Sequence, residues 1–139
     1  MGPVSRYGPP LAVMAIIFAL SATPDLSSGL GTWDLILRKI AHIAVYGVLW
    51  IALVRATDWR RPLAATVIAL LYAVSDEVHQ TFVAGRHGAA TDVAFDALGC
   101  AIAWLAWLLA ARRRGRPGPP WPLRASAAGA ATASRARWR

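Results

Sequence analysis

Residues 75–96 read SDEVHQTFVAGRHGAATDVAFD. An apolar run, LAATVIALLYAV, leads into this stretch, and another, ALGCAIAWLAWLLAA, leads out of it. Between them stand Asp76, Glu77, His79, Gln80, Arg86, His87, Asp92 and Asp96. A chain that places carboxylates, imidazoles and a guanidinium at the joint of its two greasiest segments must turn those groups inward, because ionisable side chains are costly against lipid.

The rest of the chain sets the solvent. Of 139 residues, 57% are apolar and 16% charged, against about 25% charged in soluble proteins. Seven residues are Trp, a side chain favoured at membrane interfaces. The single Cys100 has no internal disulfide partner and no metal-site spacing. Apolar stretches run over 11–22, 40–54, 62–83 and 93–111, and none alternates as a strand does. A spanning helix needs about 17–25 residues. The fourth stretch meets that length. The second meets it with Lys39 and Arg55 reaching outward at its ends, and the third with its polar last turns. The first, between Pro9-Pro10 and Pro24, is the shortest. It reads as a span or as a signal peptide with a weak cleavage site around Leu20-Ser21-Ala22. The expected fold is all-α: a compact bundle of four transmembrane helices in a domain covering residues 1–111. Residues 112–139, rich in Arg, Pro and Ala, read as a disordered basic tail.

Local signals suggest helix ends. Pro10 and Pro62 suit first-turn positions, Gly85 suits the position after the third helix, and Thr91 suits the N-cap of the fourth. With four spans, both termini and the loop 55–61 share one side, which holds twelve of the fifteen basic residues. The positive-inside rule puts that side, with both termini, in the cytoplasm. The net charge of +8 is then membrane charge. The tail faces anionic lipid, and nucleic acid is not an expected partner. Six of the seven acids fall on the outer side, with Lys39, His42 and Tyr46 of helix two at i, i+3 and i+7.

Three motifs in this chain resemble those of the VanZ-like family of small bacterial membrane proteins. They are K-x-x-H-x-x-x-Y (Lys39, His42, Tyr46), D-E-x-x-Q-x-F-x-x-x-R (Asp76, Glu77, Gln80, Phe82, Arg86), and D-x-x-x-N-x-x-G opening the last helix (Asp92, Asp96, Gly99). Together they cover about residues 10–110. Asp96 stands where the family usually has Asn, and His79 and His87 lie outside the pattern. The resemblance implies a four-helix integral membrane protein. The family's namesake is associated with low-level resistance to teicoplanin, and no reaction is firmly established for it.

Each residue has a structural reading beside a functional one. Asp92 suits a helix first turn. Arg86 suits an ion-pair network closing the outer end. His42 suits a hydrogen-bonded core position, and Tyr46 suits packing. Adjacent Asp76 and Glu77 are hardest to explain as scaffolding. Three functions follow. In the first, an outer-leaflet polar site interacts with a lipid headgroup, a cell-wall precursor or a glycopeptide through Lys39, Tyr46, Gln80, Arg86, Asp92 and Asp96. In the second, an enzyme acts on a lipid or lipid-linked precursor, with Asp76 or Glu77 as general base and His42 as its partner. The third is a proton-coupled transporter. No nucleophile elbow, H-E-x-x-H helix, P-loop or C-x-x-C pair is present. Cofactor and oligomeric state stay open. A divalent ion on Asp76, Asp92 and Asp96 is one variant of the enzyme reading.

Overall fold

The computed structural model describes residues 2–24, 31–86 and 88–113. Its elements are four α-helices: α1 Pro3–Ser21, α2 Thr32–Ala56, α3 Pro62–Gln80 and α4 Ala90–Arg113. The described chain is all-α. Three of the helices, α1, α2 and α4, are long and apolar enough to cross a membrane. The last turns of α3 carry Ser75, Asp76, Glu77, His79 and Gln80, which dilute a helix as long as α1. Residues 114–139, most of the expected tail, lie outside the described residues.

The distribution of side chains is that of a protein in lipid. Leu11, Ile16, Ile51, Leu71, Ile102 and Leu105 are exposed, whereas Asp76, Glu77, Gln80, Asp92 and Asp96 are buried. An apolar exterior with carboxylates buried inside places this chain in a bilayer. Small residues set the interior spacing. Ala65, Ala69 and Ala73 form a buried stripe along one face of α3. On α4 a Cβ added to Gly99 would sit 2.2 Å from the Ile43 carbonyl oxygen. Only glycine permits this crossing with α2, the pair of helices in most extensive contact.

Three helix starts differ from the sequence reading. α2 begins at Thr32, so Lys39 lies two turns inside it and not at its end. α1 begins at Pro3, not after Pro9-Pro10, and both those prolines lie inside it. Pro9 has no N–H to give the Ser5 carbonyl four residues back. Arg55 Nη1 donates to that carbonyl instead, at 3.2 Å. α4 begins at Ala90, so Thr91 sits in the first turn rather than capping it. Pro62 does open α3. Gly85 adopts φ 76°, but five residues beyond the end of α3, where Thr81 is the C-cap. Gly85 thus serves the turn into the following loop.

The end of the bundle away from the acids is tied by aromatic stacking. Trp50 stacks on Trp104 at 5.9 Å and Trp59 on Trp107 at 6.3 Å. The connecting turn holds Asp58 and Trp59 at positive φ, a costly conformation for such residues. The Trp59 ring contact and an ion pair from Arg6 to Asp58 hold it. Tyr72 of α3 donates to the Met14 carbonyl of α1 at 2.6 Å, which fastens α1 to the bundle.

Candidate functional site

The polar residues of all four helices meet at one end. α2 starts at Thr32, so Lys39 and His42 lie two to three turns inside it, about 10–15 Å from its start at 1.5 Å per residue. α3 brings in Asp76, Glu77 and Gln80 from its last turns, and α4 brings in Asp92 and Asp96 from its first two. The cluster is therefore recessed, with the first turns of α2 projecting past it.

Two cross-helix rungs join α2 to α4. Lys39 pairs with Asp92, and His42 Nδ1 lies 2.8 Å from Asp96 Oδ1. Spacing explains the match: i, i+3 on one helix faces i, i+4 on the other. Lys39 Nζ also stands 5.1 Å from the Phe95 ring centroid. One turn deeper, the Tyr46 ring lies parallel to that of His42 at 6.5 Å. Tyr46 is fully buried and its hydroxyl has no hydrogen-bond partner.

The α3 acids have different partners. Asp76 Oδ2 accepts from Ser21 Oγ at 2.8 Å and from Gln80 Nε2 at 2.9 Å, while its Oδ1 is buried without a partner. Glu77 Oε2 accepts from the Ala89 backbone N–H at 2.7 Å. That bond needs the loop tight against α3. A Cβ on Gly88 would fall 2.4 Å from the Glu77 carbonyl oxygen, so glycine is required there. Among the described residues, His42, Glu77 and Asp96 each place a ligand-type atom within 4.8 Å of the others.

Arg86 stands beyond the last turn of α3. Arg86 Nη2 donates to the Leu20 carbonyl at 2.8 Å, where a cation suits the C-terminus of α1. Its Nε–H is buried and unpartnered. Desolvation, and then the nearby Arg38, pull the Arg86 guanidinium below its ordinary value, yet a guanidinium remains protonated. His79 stacks on Phe18 of α1 at 4.6 Å.

All nine residues selected from the sequence thus stand at the same end: His42, Asp76, Glu77, Lys39, Tyr46, Gln80, Arg86, Asp92 and Asp96. The particular set Asp76, Asp92 and Asp96 does not form the close triad. Asp92 is taken by Lys39, and His42 with Glu77 stands nearest Asp96. His87 lies outside the described residues. Ser21 and the Ala89 N–H belong to the site as well. In the sequence Ser21 stands out only as part of a weak cleavage site at the end of an apolar run.

The model of the VanZ/LLP1 family matches residues 7–111. The chain belongs to that family. The match takes in every one of the nine site residues and all of α2 and α3. No curated protein matches the chain. No solved structure matches it either. Family membership gives this VanZ/LLP1 protein its membrane setting. Its chemistry has to be argued from the cluster.

Proposed function

We infer that this VanZ/LLP1 protein acts in the cell envelope, where its recessed polar site engages the polar headgroup of a lipid, a lipid-linked cell-wall precursor or a glycopeptide. All four helices pass through the plasma membrane, with both termini and the basic tail 112–139 in the cytoplasm. This topology is supported by the twelve basic residues on one side and the six acids on the other. The membrane domain is residues 1–111. The observation that carries the reading is the burial of Asp76, Glu77, Gln80, Asp92 and Asp96 together at one bundle end. A bundle that needed only packing would place apolar side chains there. The unpartnered Nε–H of Arg86 at the rim suits a phosphate or carboxylate oxygen. A contribution to teicoplanin-type resistance follows from engagement of precursor or glycopeptide at the outer leaflet.

A second reading, acid–base catalysis on a lipid-linked substrate, is favoured by one observation. His42 is oriented by Asp96 at 2.8 Å and faces Glu77 within 4.8 Å, an arrangement suited to proton transfer. Asp76, Glu77 and His42 are its catalytic candidates.

The test is protection of a teicoplanin-sensitive Gram-positive host. Wild type is expected to raise the inhibitory concentration, and Glu77→Gln, Arg86→Ala and Asp92→Asn to lose protection at equal membrane abundance. Variants that protect as well as wild type would make the cluster scaffolding. A wild type without effect would remove the resistance role.

A further inference from the structure

The unusual feature of the cluster is that three of its buried carboxylates have no Lys or Arg in contact. Among the described residues Asp76, Glu77 and Asp96 form no ion pair with Lys or Arg. Lys39 is committed to Asp92, and Arg86 to the Leu20 carbonyl. Ser21, Gln80, the Ala89 N–H and His42 supply hydrogen bonds to these acids. Buried carboxylates without a cation are expensive, and such groups pair or coordinate metal.

We propose that His42, Glu77 and Asp96 form a binding site for a single divalent metal ion of the zinc or manganese type. Three observations support it. First, the donors come from three different helices, α2, α3 and α4, and each places one ligand atom within 4.8 Å of the other two. Around a tetrahedral ion with bonds of about 2.1 Å the ligand atoms stand about 3.4 Å apart, so side-chain adjustments of about 1.5 Å close the site. Second, two buried polar atoms on the helices that supply His42 and Glu77 have no partner, the Tyr46 hydroxyl of α2 and Asp76 Oδ1 of α3. The charges of Asp96, Asp76 and Glu77, and Tyr72 with them, act on the buried Tyr46 hydroxyl, so it lies within reach of their field. Together the two orphans offer the donor and the acceptor that an ion-bound water requires. Third, the ion supplies in direct contact the positive charge that Lys39 and Arg86, paired elsewhere, bring to Glu77 and Asp96 only from a distance.

The donor set selects the metal class. One imidazole nitrogen with two carboxylate oxygens is borderline, suited to Zn²⁺ or Mn²⁺. Mg²⁺ and Ca²⁺ prefer oxygen alone. The ion takes the place of the hydrogen bond between His42 Nδ1 and Asp96 Oδ1, and an imidazole that ligates through Nδ1 keeps its one proton on Nε2. Three protein ligands leave a coordination position open, as in catalytic rather than structural zinc sites. Cys100 takes no part, its thiol being directed to the Tyr46 carbonyl at 3.7 Å.

The proposal stands independently of the headgroup reading, because it is tested with no lipid ligand or antibiotic present. The full-length chain is purified tag-free in detergent, stripped with chelator, and titrated with ZnCl₂ and MnCl₂ by calorimetry. One equivalent of Zn²⁺ is expected, with no displacement by excess Mg²⁺. The bound ion should show nitrogen and oxygen but no sulfur neighbours in its X-ray absorption spectrum. His42→Gln, Glu77→Gln and Asp96→Asn should each abolish that equivalent while retaining wild-type helicity. Tyr46→Phe should weaken it roughly 10–100-fold. Asp58→Asn, at the opposite end of the bundle, should bind as wild type does. The proposal is overturned if the wild type takes up no stoichiometric metal, or if the three ligand variants keep it.

Discussion

His42 Nδ1 and Asp96 Oδ1 meet at 2.8 Å beside the point where Gly99 of α4 lies against the Ile43 carbonyl of α2. The two facts are linked. Ile43 follows His42 in the chain, and Gly99 is one turn from Asp96. The glycine lets the backbones approach until a short aspartate reaches the imidazole.

Gly99→Ala should therefore damage fold and site together. Its Cβ would stand 2.2 Å from a backbone oxygen, where no flexible side chain can give way. Overpacking of this kind costs about 1–3 kcal/mol. A lower Tm in detergent is expected. Gly47→Ala, whose Cβ would lie 3.3 Å from the Gly99 carbonyl oxygen, should lower Tm less. Equal, small effects at the two positions would show that the crossing is looser than the geometry requires.

The rung between Lys39 and Asp92 calls for a double-mutant cycle. The Asp92 side chain is only 11% exposed, so Lys39→Met leaves a nearly buried carboxylate without its cation. A loss of about 1.5–3 kcal/mol is expected. Asp92→Asn in the same chain should restore much of it, because removing both charges is better tolerated than removing one. Additive losses from thermal unfolding would argue against the pairing.

The loop before α4 has its own constraint. Gly88→Ala would push a Cβ to 2.4 Å from the Glu77 carbonyl oxygen and 2.9 Å from Thr81 Cγ2. The loop must then lift, breaking the bond from the Ala89 N–H to Glu77 Oε2. Faster amide exchange at Ala89 is the expected signature, shared by Glu77→Ala. Unchanged protection at Ala89 in both variants would remove this bond from the account.

These couplings also show which parts of the molecule the sequence discloses. Four apolar helices and the gathering of polar residues at one of their ends were legible because lipid makes apolar length and buried charge stand out in a sequence. Pro62 was legible because its environment is local. The partners were less so. Asp96 and His42 are 54 residues apart, and only the α2–α4 crossing brings them together. Ser21 could not be recognised as a donor to Asp76 while α1 was read from its hydropathy alone. The start of α2 was hidden by Arg38 and Lys39, which look like a helix end but lie within the helix, where Asp92 neutralises Lys39.

The start of α1 failed for a reason that can be tested directly. Pro9 and Pro10 are helix breakers in isolation, since each leaves a carbonyl four residues back without its donor. For Pro9 that carbonyl belongs to Ser5, and Arg55 of α2 donates to it at 3.2 Å. The compensation is tertiary, so no local rule could find it. Arg55→Met should then fray the first turns of α1 and cost about 1 kcal/mol, the usual net value of a hydrogen bond. Pro9→Ala restores an N–H that bonds Ser5 within the helix. In that background Arg55→Met should cost clearly less, which a four-point cycle of thermal unfolding in detergent would read out. If Arg55→Met costs the same in the wild-type and Pro9→Ala backgrounds, the guanidinium is not what permits proline inside α1, and the helix start must have another cause.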